Sequence, residues 1–177
     1  MNIETELRSF ISKEKYHEMI EFFKKNGEFV SEDYQETYYF DCEQDLRIQK
    51  NNFFSKIWMK KGKIHDDSRE EIEIKFAKED FEKLEKLFLE LGYEVKIKWF
   101  RNRHSFKWNG VDVMIDYTKG YGHIIEMEIM SNEDNEDLSL KILHEKFKEL
   151  GIEITSREEF DKKFNHYKEN WRELVKD

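Results

Sequence analysis

The chain has 177 residues, and its 31 Lys and Arg against 40 Asp and Glu give a formal net charge of −9. Hydrophobic residues make up 38% of the chain and aromatic residues 15%, so it carries the large side chains that disordered acidic chains lack. We therefore expect a folded globular protein. The net negative charge argues against binding to duplex nucleic acid, because such binding requires a basic face.

The sequence shows no apolar run of membrane-spanning length and no basic start followed by an apolar stretch. We accordingly expect no membrane span and no secretory signal, and we predict a cytoplasmic protein. The lone cysteine, Cys42, excludes an intrachain disulfide. Proline is absent and no Gly/Ser-rich linker interrupts the chain. We predict one domain over residues 1–177, with strands and helices over 1–151 and a C-terminal helix over 156–176.

Periodicity and capping residues predict the elements of the first half of the chain. Polar and apolar residues alternate over 3–8, which is typical of a strand. Ser12 then begins a helix that runs to residue 26 and ends at Gly27. Strands are predicted over 38–41, 46–49, 56–60 and 69–75. A helix with apolar residues at helical spacing follows over 80–91 and ends before Gly92.

The second half is predicted to hold three more strands, over 101–107, 111–116 and 125–129, and two helices. One helix runs over 138–150 and ends at Gly151. The last begins at the capping pair Ser156 and Glu159. A row of large side chains lies along it at steps of three and four: Phe160, Phe164, Tyr167, Trp171 and Leu174. We expect this row to pack the helix onto the sheet, and the alternative is a dimer seam, so a monomer and a homodimer are both open.

The predicted strands pair antiparallel, because several connections between them are too short for crossovers. Their alternation separates an apolar set, expected to face the helices, from an ionisable set on the opposite face. The apolar set is Ile3, Leu7, Ile57, Met59, Ile72, Ile74, Val113, Ile115, Ile125, Met127 and Ile129. The opposite set is Glu4, Glu6, Arg8, Lys56, Trp58, Lys60, Arg69, Glu71, Glu73, Lys75, Arg101, Arg103, Asp112, Asp116, Glu126 and Glu128.

Two arrangements account for this ionisable face. In an open sheet it is a solvated surface whose ion pairs contribute about 0–1 kcal/mol each. Eight antiparallel strands can also close into a barrel, whose interior these side chains would then line. Such an interior requires counter-ions of both signs, and a polyphosphate with divalent metal ions supplies them. Arg and Lys bind phosphate oxygens, and clustered carboxylates hold Mg²⁺ or Mn²⁺.

The ordered motifs resemble those of the CYTH family, the triphosphate tunnel metalloenzymes that include class IV adenylyl cyclases and thiamine triphosphatases. The resemblance covers residues 2–130. It begins with Glu4-Thr5-Glu6-Leu7-Arg8, which is similar to the family's ExExK strand. The motifs that follow in the family's order are Tyr39-Phe40-Asp41, Leu46-Arg47-Ile48, Trp58-Met59-Lys60, Arg69-x-Glu71-x-Glu73, Arg101-x-Arg103, Val113-x-Ile115-Asp116, Gly120 with Gly122, and Glu126-x-Glu128.

The resemblance implies an α+β fold in which an eight-stranded antiparallel barrel forms a triphosphate tunnel with helices outside it. It implies Mg²⁺ or Mn²⁺ as cofactor and a triphosphate-containing small molecule as partner. The implied metal ligands are Glu4, Glu6, Glu126 and Glu128, with Asp116 and Glu73 as further ligands. The implied phosphate-binding residues are Arg8, Arg47, Lys60, Arg69, Arg101 and Arg103, and the implied catalytic residues are Glu4, Glu6, Arg8 and Glu128.

Several positions depart from the family pattern. Arg8 replaces the usual lysine, which preserves phosphate binding but not proton transfer, because arginine does not readily lose its proton. Gln49 stands where many relatives have a second arginine, and Trp58 stands in place of a threonine. Lys61 precedes Gly62 as the family lysine often does, whereas parity places Lys60 on the ionisable face, so either lysine could face the tunnel.

Three functions are open from the sequence. The first is metal-dependent hydrolysis of tripolyphosphate, thiamine triphosphate or a nucleoside triphosphate, and we favour it because it requires only water and a bound triphosphate. The second is class IV adenylyl cyclase activity, which forms cyclic AMP and pyrophosphate from ATP. The third is a non-catalytic module that binds triphosphates or nucleotides.

Overall fold

A computed structural model describes residues 3–60, 68–69, 71–132 and 134–176, with only the backbone described at residues 3, 68 and 69. Fourteen elements follow one another along these ranges. In the first half they are β1 (Ile3–Ile11), α1 (Lys13–Asn26), β2 (Glu28–Phe40), β3 (Asp45–Lys50), β4 (Ser55–Lys60), β5 (Ser68–Arg69) and β6 (Glu71–Phe76). Then come a 3₁₀ turn (Lys78–Asp80), α2 (Phe81–Glu90), β7 (Val95–Trp108), β8 (Val111–Thr118), β9 (Gly122–Ser131), α3 (Glu136–Glu149) and α4 (Arg157–Leu174).

The strands form a single antiparallel sheet in the order β5-β1-β9-β8-β7-β2-β3-β4-β6. The predicted antiparallel α+β fold is therefore confirmed. Within the described ranges the hydrogen-bonded ladders end at β5 on one side and at β6 on the other, and only residue 70 separates these two strands in sequence. The two sides approach each other, since Nζ of Lys60 in β4 lies 2.9 Å from Oε2 of Glu4 in β1. The sheet thus curves around an interior.

The predicted helices are confirmed, and two of them begin at the serine caps that the sequence indicated. Oγ of Ser12 accepts a hydrogen bond from the Lys15 N–H at 3.1 Å. Oγ of Ser156 accepts one from the Glu159 N–H at 3.2 Å. Each bond satisfies a backbone donor that has no partner within the first helical turn.

Two strands are much longer than the sequence predicted. β2 and β7 pair from Glu28 opposite Lys107 to Phe40 opposite Val95, whereas the alternation indicated strands over 38–41 and 101–107 only. The early part of β2 carries exposed apolar side chains, Phe29 and Val30, which obscure the alternation. Pairing along this whole length, rather than local propensity, defines both strands.

The main core lies between the sheet and the helices α1 and α3. The apolar sides of β1, β8 and β9 supply Leu7, Val113, Ile115, Ile125 and Met127, all of them buried. Phe23 of α1, with Leu143 and Phe147 of α3, packs against them. This part of the predicted apolar face is confirmed.

The same prediction is wrong for β6. The side chain of Ile72 is 48% exposed and that of Ile74 is 63% exposed, so neither is covered by a helix. α2 packs instead further along the sheet, where Phe81 contacts Tyr38 and Ile48. β6 lies at the end of the sheet, beyond the reach of this short helix.

α4 packs across the sheet beside β7. The Tyr167 hydroxyl donates to the carbonyl oxygen of Lys98 at 2.8 Å, and the Trp171 Nε1–H donates to that of Lys96 at 3.0 Å. The turn between β8 and β9 also touches α4, because a Cβ added to Gly120 would lie 2.7 Å from Cβ of Leu174. The aromatic row thus packs α4 onto its own chain, as predicted. In the described part of the chain no helix is long and apolar enough to span a membrane.

Candidate active site

The curved sheet encloses a cavity of about 800 Å³, a size suited to a small-molecule ligand. Its wall is formed by the ionisable face that the strand alternation predicted, although Asp112 is not among the lining residues. The charged lining residues are Glu4, Glu6, Arg8, Arg47, Lys56, Lys60, Glu71, Glu73, Lys75, Arg101, Arg103, Asp116, Glu126 and Glu128. Among the described residues, seven cations thus face seven carboxylates, although the whole chain carries a net charge of −9.

Three carboxylates of the neighbouring strands β1 and β9 come together. Oxygen atoms of Glu4, Glu6 and Glu128 all lie within 4.8 Å of one another. Glu4 and Glu6 alternate along β1 and so share a face, and Glu128 stands directly opposite Glu6 in β9. Hard oxygen donors at this spacing fit a divalent metal ion.

Burial and the repulsion between neighbouring carboxylates raise the pKa values of Glu6 and Glu128. Burial, together with the charges of Glu126 and Glu4, raises the pKa of Glu128 to about 9. Burial and Glu126 likewise raise the pKa of Glu6. The group therefore holds a proton at neutral pH until a cation replaces it.

The other three carboxylates proposed as metal ligands lie outside this acidic group and are paired with cations. Arg103 contacts both oxygens of Asp116, at 2.9 and 2.7 Å, and Oε1 of Glu126 at 2.9 Å. Although burial opposes ionisation, Arg103 and Arg8 lower the pKa of Glu126 to about 2. Glu73 lies 2.5 Å from Nζ of Lys56 and 3.2 Å from Nζ of Lys75. A ligand role for Asp116, Glu126 and Glu73 stays a prediction.

Five of the six predicted phosphate-binding side chains line the cavity. Arg8 lies 3.4 Å from Glu6, and Lys60 lies between Glu4 and Glu71. Arg47 donates two hydrogen bonds to Asp45, at 2.6 and 2.5 Å. Its guanidinium also stacks over the ring of Tyr39, at 4.4 Å from the ring centre.

Two of the predicted residues, Arg69 and Lys61, have side chains that the structure does not describe. The backbone of Arg69 pairs with that of Glu4, but its side chain lies outside the described part of the structure. Lys61 also lies outside the described residues. Lys60 lines the cavity, so the strand parity was right for this lysine.

Two of the departures from the family pattern also face the cavity. Trp58 lies 4.4 Å from Nζ of Lys56, measured to its ring centre, and fills space beside the cations. Gln49 donates from Nε2 to Oγ1 of Thr37 at 2.9 Å. The position where many relatives have a second arginine is thus occupied by a neutral side chain that is hydrogen-bonded to a hydroxyl group.

Sequence reasoning missed several lining residues because it began β2 and β7 too late. Gln35 lies on the same face of β2 as Tyr39, and Trp99 lies on the same face of β7 as Arg101. Extending the period of two backwards along each strand would have identified both. The cavity also has an aromatic part, to which α4 contributes Phe160 and Phe164 and the rest of the chain contributes Tyr39, Trp99 and Tyr121. The Trp99 and Tyr121 ring centres lie 4.5 Å apart.

Comparisons with known proteins agree with this geometry. The CYTH domain family model matches residues 2–159. The chain is 32% identical over 164 residues to the Methanocaldococcus jannaschii protein named "Putative adenylate cyclase MJ0240", covering 85% of this chain and 90% of that protein.

Solved structures share the same fold. A conserved hypothetical protein from Pyrococcus furiosus superposes with a TM-score of 0.75 at 25% identity, covering 85% of this chain and 91% of that one. A second structure is described as "Putative adenylyl cyclase HpAC1 from Hippeastrum reveals a dominant triphophatase activity". It superposes with a TM-score of 0.64 at 18% identity over 89% of this chain and 93% of that one.

Proposed function

Because the chain belongs to the CYTH domain family, we propose that it is a divalent-metal-dependent hydrolase of a triphosphate-containing substrate, acting in the cytoplasm. The observation that carries the proposal is the acidic group Glu4, Glu6 and Glu128 in a cavity that also exposes phosphate-binding cations. An acidic group alone would repel a polyphosphate, and cations alone would bind one without metal. The two together fit a triphosphate and its metal ion.

In the proposed reaction, water attacks the terminal phosphorus, the bond to the bridging oxygen breaks, and orthophosphate and a diphosphate leave. Glu4, Glu6 and Glu128 would hold Mg²⁺ or Mn²⁺, with Glu126, Asp116 and Glu73 as further candidate ligands. The bound metal supplies neutralisation of charge on the phosphate oxygens. Arg8, Arg47, Lys60, Arg69, Arg101 and Arg103 would bind the phosphates. They would hold the transferred phosphoryl group so that the attacking and the leaving oxygens lie in line across it.

Each protein group in this arrangement has a defined task. Arg8 lies between Glu6 and Glu126, where it binds phosphate but keeps its own proton. The carboxylates are thus the candidates for accepting a proton from water. The aromatic side chains of α4 and of the neighbouring strands supply an apolar part of the cavity wall.

A second candidate is cyclisation of ATP, in which the ribose 3′-hydroxyl attacks the α-phosphate and pyrophosphate leaves. The name of the 32%-identical relative favours it. We rank it second because cyclisation requires a base-binding site in addition to the triphosphate site, whereas hydrolysis requires only water and a bound triphosphate. The Hippeastrum protein's description favours hydrolysis. A non-catalytic triphosphate-binding module is the third candidate.

The test is a substrate panel of tripolyphosphate, thiamine triphosphate and ATP with Mg²⁺ or Mn²⁺, with products identified. Orthophosphate release supports hydrolysis, cyclic AMP with pyrophosphate supports cyclisation, and tight binding without turnover supports the module. Glu6→Gln should abolish turnover, because it removes a ligand charge. Glu21→Gln changes an exposed carboxylate of α1 in the same way and should not. If none of the three compounds binds, the proposal is wrong.

A further inference from the structure

Arg101 is held in the cavity wall mainly by a neutral side chain. Its Nε and Nη2 both donate to Oε1 of Gln35, at 2.9 and 2.6 Å, and its Nη1 donates to Oδ2 of Asp116 at 3.2 Å. A guanidinium has five N–H groups. Two of those of Arg101 therefore remain without a partner among the described residues.

The neighbouring arginines are held differently. All three hydrogen bonds of Arg103 go to carboxylates, those of Asp116 and Glu126, and both hydrogen bonds of Arg47 go to Asp45. A carboxylate neutralises the cation that it orients, whereas an amide oxygen orients the cation without adding a charge.

Asp33 determines which way the Gln35 amide points. Nε2 of Gln35 donates to Oδ2 of Asp33 at 3.1 Å, and Oδ1 of Asp33 accepts the Asn52 N–H at 2.9 Å. The oxygens of Asp33 accept both of these hydrogen bonds, so the NH₂ group of Gln35 faces Asp33. The reversed amide would place N–H groups opposite the N–H groups of Arg101. Asp33 and Gln35 are both buried, which makes such a mismatch costly.

We propose that Gln35 is a positioning residue that aims Arg101 at a substrate phosphate and leaves its charge available, while Asp33 fixes the orientation of the Gln35 amide. This inference rests on the proposed triphosphate function. It explains why a neutral amide, and not a carboxylate, accepts two of the hydrogen bonds of Arg101.

The test moves one negative charge from residue 33 to residue 35 and leaves the net charge of the chain unchanged. In the double variant Asp33→Asn/Gln35→Glu, the new Asn can donate to the new Glu and still accept the Asn52 N–H. The new Glu can accept from Arg101. The hydrogen-bond chain is thus kept, but Arg101 now faces a carboxylate. The probe is tripolyphosphate with Mg²⁺, measured by calorimetry and, where turnover occurs, by kcat and KM.

We expect the double variant to unfold at nearly the wild-type temperature and to bind tripolyphosphate about tenfold to a hundredfold more weakly, the range for losing one charged hydrogen-bonding group. KM should rise by a similar factor, with a smaller change in kcat. A merely structural role for Gln35 would instead move the unfolding temperature and leave affinity unchanged. If wild type binds tripolyphosphate and the folded double variant binds it equally well, the positioning role is wrong and the proposed function stands.

A second measurement decides the matter if the double variant does not fold. Gln35→Met removes the acceptor, and Arg101→Met removes the cation. Because Gln35 acts through Arg101, adding Gln35→Met to Arg101→Met should cost no further affinity for tripolyphosphate. Fully additive losses would overturn the inference. If wild type itself binds no triphosphate, both the inference and the proposed function are wrong.

Discussion

Glu128→Gln tests whether the acidic group of Glu4, Glu6 and Glu128 holds a proton in the metal-free protein. The pKa of Glu128 is raised to about 9 in the fold, against 4.5 for an ordinary glutamate. Between these two values the folded protein binds a proton that the unfolded chain has released. The free energy of unfolding must then fall as pH rises, because the folded state binds more protons.

The size of the effect follows from the linkage. One proton corresponds to about 1.4 kcal/mol for each pH unit. From pH 6 to pH 8, which lies inside the window, metal-free wild type should lose about 2.7 kcal/mol, or roughly 5–11 °C in unfolding temperature for a chain of this size. The raised pKa of Glu6 acts in the same direction. Glutamine cannot titrate, so this loss should be much smaller in Glu128→Gln.

The assay is denaturant unfolding of both proteins in chelator at several pH values between 6 and 8. Burial lowers the pKa of His123, which makes the fold gain stability as pH rises through its usual range. This opposite contribution is common to both proteins and cancels in their difference. Mg²⁺ or Mn²⁺ should stabilise wild type more than the variant, and increasingly at higher pH, since metal replaces the proton. Parallel stability curves for the two proteins would refute the reasoning.

Three stability predictions follow from packing and hydrogen bonding, each measured by denaturant unfolding. Gly120→Ala should lower the free energy of unfolding by about 2–4 kcal/mol, because φ is +73° and the new Cβ meets Leu174. Gly110→Ala is the control, since φ is +80° but the space around it is open, and it should cost only about 1–2 kcal/mol. Equal costs would contradict the contact between Gly120 and Leu174. Ile125→Val should cost about 0.5–1.5 kcal/mol in the core, whereas Ile74→Val, 63% exposed, should change stability by less than about 0.5 kcal/mol. Equal costs for the two variants would mean that Ile74 is buried in solution. Tyr167→Phe should cost about 1 kcal/mol, because the Lys98 carbonyl loses its donor, and Tyr34→Phe at an exposed site should cost almost nothing. No loss in Tyr167→Phe would mean that α4 is not held to β7 by this bond.

Local patterns were sufficient for much of the fold. The serine caps and the glycines after the first three helices predicted all four helices, because capping depends on residues within one turn. Alternation predicted which side chains of β1, β8 and β9 share a face, since the period of two is a property of the strand itself. The same alternation failed for the early parts of β2 and β7, whose length comes from pairing with each other.

The sequence by itself determined that the chain has an ionisable sheet face with both signs of charge, and the order of its motifs indicated the family. It could not tell which of these carboxylates would come together. Glu126 and Glu128 belong to one motif on one face of β9, yet Glu126 is paired with Arg103 of β7 and Glu128 joins Glu4 and Glu6 of β1. Only the curvature of the sheet decides such partners, because ion pairs depend on distances between side chains of different strands, and those distances are set by the tertiary structure.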